Sequence, residues 1–330
     1  MTETSFINPH PTNTAFSAKL PGFQFAWDST SLGALKTCPR YYYYSIIMGY
    51  ASQGENAHLK FGLEFHAALE LYDRKKAEGE SHEKATYAAV RLALVNTWNF
   101  KLNRPWTSEE PTKTRETLVR AIVWYLDQFA NDPLETLILS DGKPAVELSF
   151  RFETGLKSSN DEDILLCGHL DRVAYFQQKV YIVDRKTTKG SVGESYFAKY
   201  SPDNQMSLYD FAGTVVLPEP SAGIIIDAGQ MQVNAVKFQR GFITRTQRQR
   251  EEWFNDFAMW VEMAEGFARR QHWPQNEKAC SSYSSYSGVE DSWRGGCPYR
   301  GICGISPEVR EPYLRVYEQR IWNPLVTREV

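Results

Sequence analysis

Three strand-length apolar runs in the middle of the chain constrain its fold most strongly. They are AVELSFRFET (145–154), ILLCGHLDRVAYF (164–176) and KVYIVDRKTT (179–188), and each is rich in residues that favour strands. Only Gln177 and Gln178 separate the last two runs, a spacing typical of a β-hairpin. The three runs therefore predict adjacent strands of one sheet.

Helical patterns lie on both sides of these strands. Apolar residues recur at helical spacing in several segments, which predicts helices at about 57–79, 82–100, 111–130 and 246–269. A further helix is predicted to begin near Asn204, and two more strands follow it in GIIIDAGQ and QVNAVKFQRGFI. The order of elements predicts an α/β fold with a helical N-terminal third.

The domain organisation is predicted from the same patterns. At 330 residues the chain exceeds the usual single-domain size, so one elaborated domain and a core with an appended lobe are both open. The sequence contains no internal repeat and no long linker, which favours one domain. The predicted parts are a loose arm over 1–24 and a domain over 25–330, in which 25–135 is mainly helical, 143–270 is the α/β core and 271–330 is a C-terminal segment.

Charged residues of the second and third runs predict a metal site. Asp184 and Lys186 are two positions apart on one strand, so their side chains project from the same face, and Asp171 belongs to the neighbouring strand. Converging carboxylates suit a hard divalent cation such as Mg2+, and a lysine beside them can orient a metal-bound water. Arg185 points the other way and can offer the cation only its backbone carbonyl. A D-x-K pattern alone is often a surface ion pair. Further residues are therefore needed to show whether this pattern belongs to a metal site.

An ordered set of motifs resembles the RecB-like members of the PD-(D/E)xK nuclease superfamily. The matching residues are a helix histidine, a GxxD, a DxK and a QxxxY, namely His66, Asp171, Asp184 with Lys186, and Gln205 with Tyr209. The resemblance implies a restriction-endonuclease-like αβββαβ core with a mixed central sheet flanked by helices. It also implies metal ligation by His66, Asp171 and Asp184, a catalytic Lys186, and substrate positioning by Gln205 and Tyr209. Glu147 is the candidate for a further metal-binding carboxylate.

Four of the five cysteines form a second candidate site. The sequence has no signal peptide pattern and no apolar run long enough for a membrane helix, which predicts a cytoplasmic protein whose cysteines are not disulfides. Cys280, Cys297 and Cys303 lack the short C-x2-4-C spacing of structural zinc sites, and Cys38 follows an N-terminal helix. Buried thiols and zinc remain alternatives. Cys167 is interpreted as a core residue.

The cysteine pattern also carries a resemblance. One cysteine in a CPRxYY segment and two in GGCPYRGICG are similar to the pattern of iron-sulfur nucleases related to AddB and to CRISPR-adaptation nucleases. The resemblance implies a [4Fe-4S] cluster on Cys38, Cys280, Cys297 and Cys303 that ties the two ends of the chain together. The family has a tighter gap before its third cysteine, and here the insertion 281–296 widens it.

Net charge excludes a protein with a uniformly basic surface. The formal charge is -3 and the pI is about 6.1, so DNA binding requires a local basic groove. KFQRGFITRTQRQR supplies a candidate phosphate track of Lys237, Arg240, Arg245 and Arg248, although a solvated helix start explains these cations equally well. Tyr41 to Tyr44 are candidates for stacking on bases or for packing around the cysteines.

Together the motifs predict a Mg2+- or Mn2+-dependent DNA nuclease. The expected mode is exonuclease action on single strands or duplex ends in DNA repair, recombination or phage DNA processing. Expected partners are DNA and a helicase, a recombinase or a CRISPR-adaptation protein, with no membrane. Two alternatives are a CRISPR-adaptation-type nuclease that trims DNA ends and a catalytically idle DNA-binding or scaffold subunit.

Overall fold

The computed structural model describes residues 15–54, 56–282 and 296–326. Most of the predicted arm and most of the insertion 281–296 lie outside the described residues. The chain divides into two compact units. The first unit contains residues 1–54, 150–168 and 247–327, and the second contains 55–149, 169–246 and 328–330. The prediction of one domain over 25–330 stays a prediction.

Helices and strands have the following bounds in the described residues. The α-helices are α1 (Ser29–Thr37), α2 (Pro39–Tyr42), α3 (Ala57–Ala77), α4 (His82–Asn96), α5 (Arg115–Gln128), α6 (Glu194–Ala198), α7 (Asn204–Val215), α8 (Gln247–Arg270), α9 (Glu277–Ser282), α10 (Arg300–Cys303) and α11 (Arg310–Leu314). The strands are β1 (Ala26–Trp27), β2 (Tyr50–Ala51), β3 (Trp98–Asn99), β4 (Arg104–Pro105), β5 (Glu135–Thr136), β6 (Val146–Lys157), β7 (Asp163–Phe176), β8 (Lys179–Thr188), β9 (Ile224–Met231), β10 (Val236–Ile243) and β11 (Glu318–Gln319).

β7, β8, β9 and β10 are hydrogen-bonded in that order in a mixed sheet. β8 is antiparallel to β7 and parallel to β9. β10 is the last strand in this order and is antiparallel to β9. The predicted hairpin between β7 and β8 is confirmed. Its loop residues Gln177 and Gln178 both have positive φ, 49° and 63°, which is the two-residue turn whose twist matches the flanking strands.

Helices flank this sheet. α3 packs on β8, α7 on β8 and β9, and α5 on β10. The order α3, β6, β7, β8, α7, β9 contains the αβββαβ sequence of elements, with α4 and α5 inserted before β6. The apolar core of α3, α4 and α5 includes the buried residues Phe61, Phe65, Leu69, Ala89, Leu118, Ile122 and Tyr125. This core anchors α3, the helix that carries His66, and so determines where the imidazole lies.

In the first unit, Cys38 separates helices α1 and α2. Asp28 caps α1 by accepting a hydrogen bond from the backbone N–H of Ser31 at 2.9 Å. The helix ends before Cys38, whose backbone is extended, and Pro39 begins a new helical turn that continues as a π-helical turn over Tyr43–Ile47. A second helical segment therefore begins directly after the end of α1. The extended backbone at Cys38 separates the two helical segments.

Candidate active site

Asp171 and Asp184 lie on the adjacent strands β7 and β8, next to the last residue pair of the register between these strands. The register pairs Arg172 with Val183, so Asp171 and Asp184 form the next position along the ladder. Asp171 Oδ2 accepts a hydrogen bond from the backbone N–H of Arg185 at 2.8 Å. The β8 backbone thus orients one carboxylate, while the two-residue period of the strand places the other beside it.

His66, Glu147 and Asp171 bring three metal-binding groups together. One ligand atom of each lies within 4.8 Å of those of the other two, and His66 Nδ1 is 3.4 Å from Asp171 Oδ2. Glu147 is buried and has a φ of 51°, an uncommon backbone conformation for a residue other than glycine. Two carboxylates and an imidazole form a donor set that fits a divalent cation such as Mg2+ or Mn2+. Asp184 lies beside this trio rather than within it.

Lys186 links Asp184 to the start of α7. Its ammonium nitrogen lies 2.8 Å from Oδ2 and 3.1 Å from Oδ1 of Asp184, and it donates to Gln205 Oε1 at 2.9 Å. Gln205 Nε2 in turn donates to the Tyr209 hydroxyl at 3.0 Å, one helical turn further along α7. The four residues predicted from the DxK and QxxxY motifs therefore form one hydrogen-bonded chain.

Burial and neighbouring charge shift the protonation of the Asp184–Lys186 pair. Burial raises the pKa of Asp184 to about 7, and the negative charge of Asp171 adds to this, while Lys186 opposes it. Burial alone would lower the pKa of Lys186, but the charges of Asp184 and Asp171 outweigh it and raise that pKa. A cation bound between these carboxylates would favour their ionised forms.

The side chain of Arg185 forms a buried ion pair between β8 and α3. Its side chain is buried, and Nη2 lies 2.5 Å from Oδ2 of Asp73 on α3. Arg172 Nη1 lies 3.6 Å from the other oxygen of Asp73. Removing one partner of such a buried ion pair costs about 3–5 kcal/mol, because the other charge stays buried without compensation. The pair therefore holds α3 against β8, whose Arg185 N–H contacts Asp171. Metal ligation by the Arg185 carbonyl stays a prediction.

A second pair of residues extends the same strand face. His169 is two positions before Asp171 on β7, and its Nδ1 lies 2.8 Å from Ser149 Oγ on β6. Neither residue could be predicted as part of the site, because a lone serine and a lone histidine 20 positions apart form no sequence motif. β6 pairs with β7, and Ser149 and His169 each lie two residues from a residue of the metal-binding group, Glu147 on β6 and Asp171 on β7.

The four cations of the predicted phosphate track have different surroundings in the structure. Arg240 forms a bidentate ion pair with Asp132 at 2.7 and 2.8 Å, and the buried Arg245 donates to the Tyr200 carbonyl at 2.7 Å. Both guanidinium groups are held by the protein itself, so their charges stabilise the fold of the second unit. Lys237 Nζ contacts the Val192 carbonyl at 3.2 Å, and Arg248 is exposed on α8. Phosphate binding by these residues stays a prediction.

The four predicted cluster cysteines all lie in the first unit. Cys280 and Cys303 pack with the buried Cys297 in an apolar group with several tyrosines. Cys38 Sγ accepts a hydrogen bond from the Asn276 N–H at 3.2 Å, and Cys280 follows four residues later. None of the five cysteines forms a disulfide.

The thiols of this group interact electrostatically. Burial raises the pKa of Cys297 to about 12, and negative charge on Cys280, Cys303 and Cys38 adds to the shift. The Cys297 N–H donates to the Cys280 carbonyl at 3.2 Å. Gly296 permits this approach, because its φ is 85° and a Cβ there would lie 2.5 Å from the Cys280 carbonyl oxygen. A bound metal centre would supply the positive charge that favours ionisation of several grouped thiols.

Aromatic side chains surround the cysteines. Tyr44 lies 5.2 Å and Tyr41 lies 5.6 Å from Tyr299, measured between ring centroids, and Tyr43 stacks on Trp273 at 4.6 Å. Of the two interpretations of the tyrosine run, packing around the cysteines is the one that these contacts favour. Cys167 is buried and donates to the Trp27 carbonyl, as expected of a core residue.

Comparisons with known proteins place the chain in context. The family model described as PD-(D/E)XK nuclease superfamily matches residues 27–304. No curated protein sequence matches this chain. A solved structure named "Putative exonuclease", from Eubacterium rectale, is 9% identical, with 78% of this chain and 86% of that chain covered and a TM-score of 0.47. The structure of SSO0001 is also 9% identical, with 71% and 76% covered and a TM-score of 0.28.

Proposed function

The chain belongs to the PD-(D/E)XK nuclease superfamily, and from this premise we propose that it is a divalent-metal-dependent deoxyribonuclease. The observation that carries the proposal is the convergence of His66, Glu147 and Asp171 beside the Asp184–Lys186 pair. Oxygen donors, an imidazole and a lysine are the groups that metal-assisted phosphodiester hydrolysis requires. The presence of Asp171, Asp184 and Lys186 together argues against a catalytically idle subunit.

Each residue of the site has a role in this proposal. Mg2+ or Mn2+ would be held by His66, Glu147, Asp171 and Asp184. A bound cation would lower the pKa of a water molecule, which would then act as the nucleophile. Lys186 orients that water and offsets negative charge that grows on the scissile phosphate. Gln205 holds the Lys186 ammonium group at 2.9 Å and, with Tyr209, offers hydrogen bonds to the substrate strand. The Arg185 N–H keeps the Asp171 carboxylate turned towards the site.

We propose exonuclease action on single strands or duplex ends. Linear and covalently closed circular DNA of the same sequence, incubated with Mg2+ or Mn2+, test this mode. We expect the linear form to be degraded from its ends while the circle persists, and EDTA to stop the reaction. Rapid nicking of the circle would contradict the exonuclease mode, and no cleavage of either form would contradict the nuclease proposal.

We also propose that Cys38, Cys280, Cys297 and Cys303 hold a [4Fe-4S] cluster. The support is the packing of Cys280, Cys297 and Cys303 in one group with several tyrosines, and the position of Cys38 against the Asn276 N–H, four residues before Cys280. Thiolate ligands suit such clusters, and zinc is the alternative that the same thiols could bind. The role is structural, because the cluster would join the α1–α2 junction to the C-terminal segment within the first unit.

The wider setting of the activity stays predicted from the sequence alone. This applies to the cytoplasmic location, to a repair, recombination or phage pathway, and to a helicase, recombinase or CRISPR-adaptation partner. Among the residues that the structure describes, no helix has the length and apolar character needed to cross a membrane.

A further inference from the structure

An exposed apolar pair leads away from the metal ligand on α3. Leu59 and Leu63 are 50% and 53% exposed. They stand seven and three residues before His66, a spacing that places all three on one face of the helix. Neighbouring apolar side chains on the surface beside a reactive site can contribute to a binding surface for a ligand with an apolar face.

This part of α3 lies against the end of β8, immediately past Lys186. A Cβ placed on Gly62 would lie 3.9 Å from Thr187 Oγ1, which is ordinary van der Waals contact. Leu59, Leu63 and His66 lie together on the adjoining face of α3, within about 100° of Gly62 around the helix axis. The apolar pair therefore borders the site that the DxK strand carries.

Lysines border the same end of the sheet. The register places Thr188 of β8, Gln230 of β9 and Lys237 of β10 in one row, and Lys189 directly follows Thr188. On α3 itself, Lys60 extends over the Trp106 ring, with Nζ 5.1 Å from the ring centroid. Lysine side chains therefore lie both on α3 and at the neighbouring end of the sheet.

Two carboxylates in this region are held by protein groups. Burial alone would raise the pKa of Glu110, but hydrogen bonds from Thr112 and the charges of His58 and Lys189 lower it. Glu64 Oε2 accepts a hydrogen bond from Asn96 at 2.8 Å. Lys189 and His58 thus offset the charge of Glu110. Lys60 and Lys237 add positive charge at this edge, which favours a phosphate backbone.

We infer that this surface receives an unpaired DNA strand, with Leu59 and Leu63 against its bases and Lys60, Lys189 and Lys237 along its phosphates. The exterior of a duplex presents sugars and phosphates, whereas the flat faces of unpaired bases are open to apolar side chains, and leucine is among the side chains that insert where bases are unstacked. The inference rests on the proposed function and names its substrate class. It assigns the choice of unpaired over paired DNA to two leucines that take no part in metal binding.

The test compares single-stranded with blunt duplex DNA of one sequence. The variant is Leu59→Gln with Leu63→Gln, because glutamine is a good helix former and both positions are exposed. Fluorescence anisotropy without added metal measures binding, and end-labelled substrates with Mg2+ or Mn2+ measure cleavage. We expect single-strand binding to weaken at least about tenfold relative to duplex binding, with a matching fall in the cleavage ratio.

A matched control is available on α8. Met259 and Met263 are also four residues apart and exposed, at 64% and 43%, so Met259→Gln with Met263→Gln repeats the chemical change on another helix. The control should keep the wild-type preference. Lys60→Gln with Lys189→Gln should reduce the slope of log Kd against log salt by roughly one to one and a half for the single strand.

The outcomes separate this inference from the proposed function. If the leucine variant keeps the wild-type binding ratio, or weakens both substrates equally, the inference is overturned whether or not the protein cuts DNA. A protein partner on the leucines would produce the first of these results. If the wild type binds single strands through the leucines yet cuts nothing with either metal, the proposed function fails while the binding surface stands.

Discussion

We expect Asp184→Asn and Lys186→Met each to cut labelled DNA at least about a hundredfold more slowly than the wild type while binding it with similar affinity. Asp184 is buried beside Asp171, and Lys186 is the cation that contacts it. Asparagine removes the negative charge from the metal side, and methionine removes the positive charge that faces the scissile phosphate. Neither change deletes side-chain volume, so loss of rate would report chemistry rather than packing.

The measurement is single-turnover cleavage with Mg2+ and with Mn2+, and anisotropy on the same DNA supplies the affinity. Lys179→Met is the matched control, because Lys179 lies on the same strand, seven residues before Lys186, and is exposed. It should retain the wild-type rate. Cleavage by Asp184→Asn or Lys186→Met at the rate of the control would remove both residues from the catalytic site.

The four predicted cluster cysteines should give the purified protein bound iron and visible absorbance. We expect protein purified anaerobically to contain about four iron and four sulfide ions per chain and to absorb broadly in the visible range. Cys297→Ser should lose most of that absorbance and unfold at a lower temperature, because Cys297 is buried and packs with Cys280 and Cys303. The readouts are metal analysis, the visible spectrum and thermal unfolding by circular dichroism.

Cys167→Ala is the control for this experiment. Cys167 is buried in the same unit but contacts the Trp27 carbonyl rather than the other cysteines, so its removal should leave the spectrum intact. Zinc in place of iron, with no visible absorbance, would replace the cluster by a zinc site. Wild-type protein with neither metal would leave four ordinary buried thiols.

Sequence patterns predicted the parts of this structure that depend on local spacing. Strand alternation placed Asp184 and Lys186 on one face, and the two-residue gap at Gln177 and Gln178 predicted the hairpin. Helical spacing joined Gln205 to Tyr209. These contacts involve residues close in sequence or on adjacent strands, where backbone geometry determines which side chains meet.

Contacts between distant residues could not be predicted in the same way. Arg185 pairs with Asp73, 112 positions away, and Arg240 pairs with Asp132, 108 positions away. A cluster of cations in the sequence looks the same whether its charges face solvent or buried carboxylates. The positive φ of Glu147 was also hidden, because glutamate carries no local signal for that conformation.

Diffraction at the manganese edge from crystals grown with Mn2+ would test the central claim most directly, since it locates the ion independently of activity. The claim is that His66, Glu147, Asp171 and Asp184 surround one divalent-cation site beside Lys186. We expect the strongest anomalous peak within coordination distance of His66 and Asp171, and its loss in Asp171→Asn. A fully bound Mn2+ elsewhere in the protein, with these side chains making no contact to it, would contradict the claim.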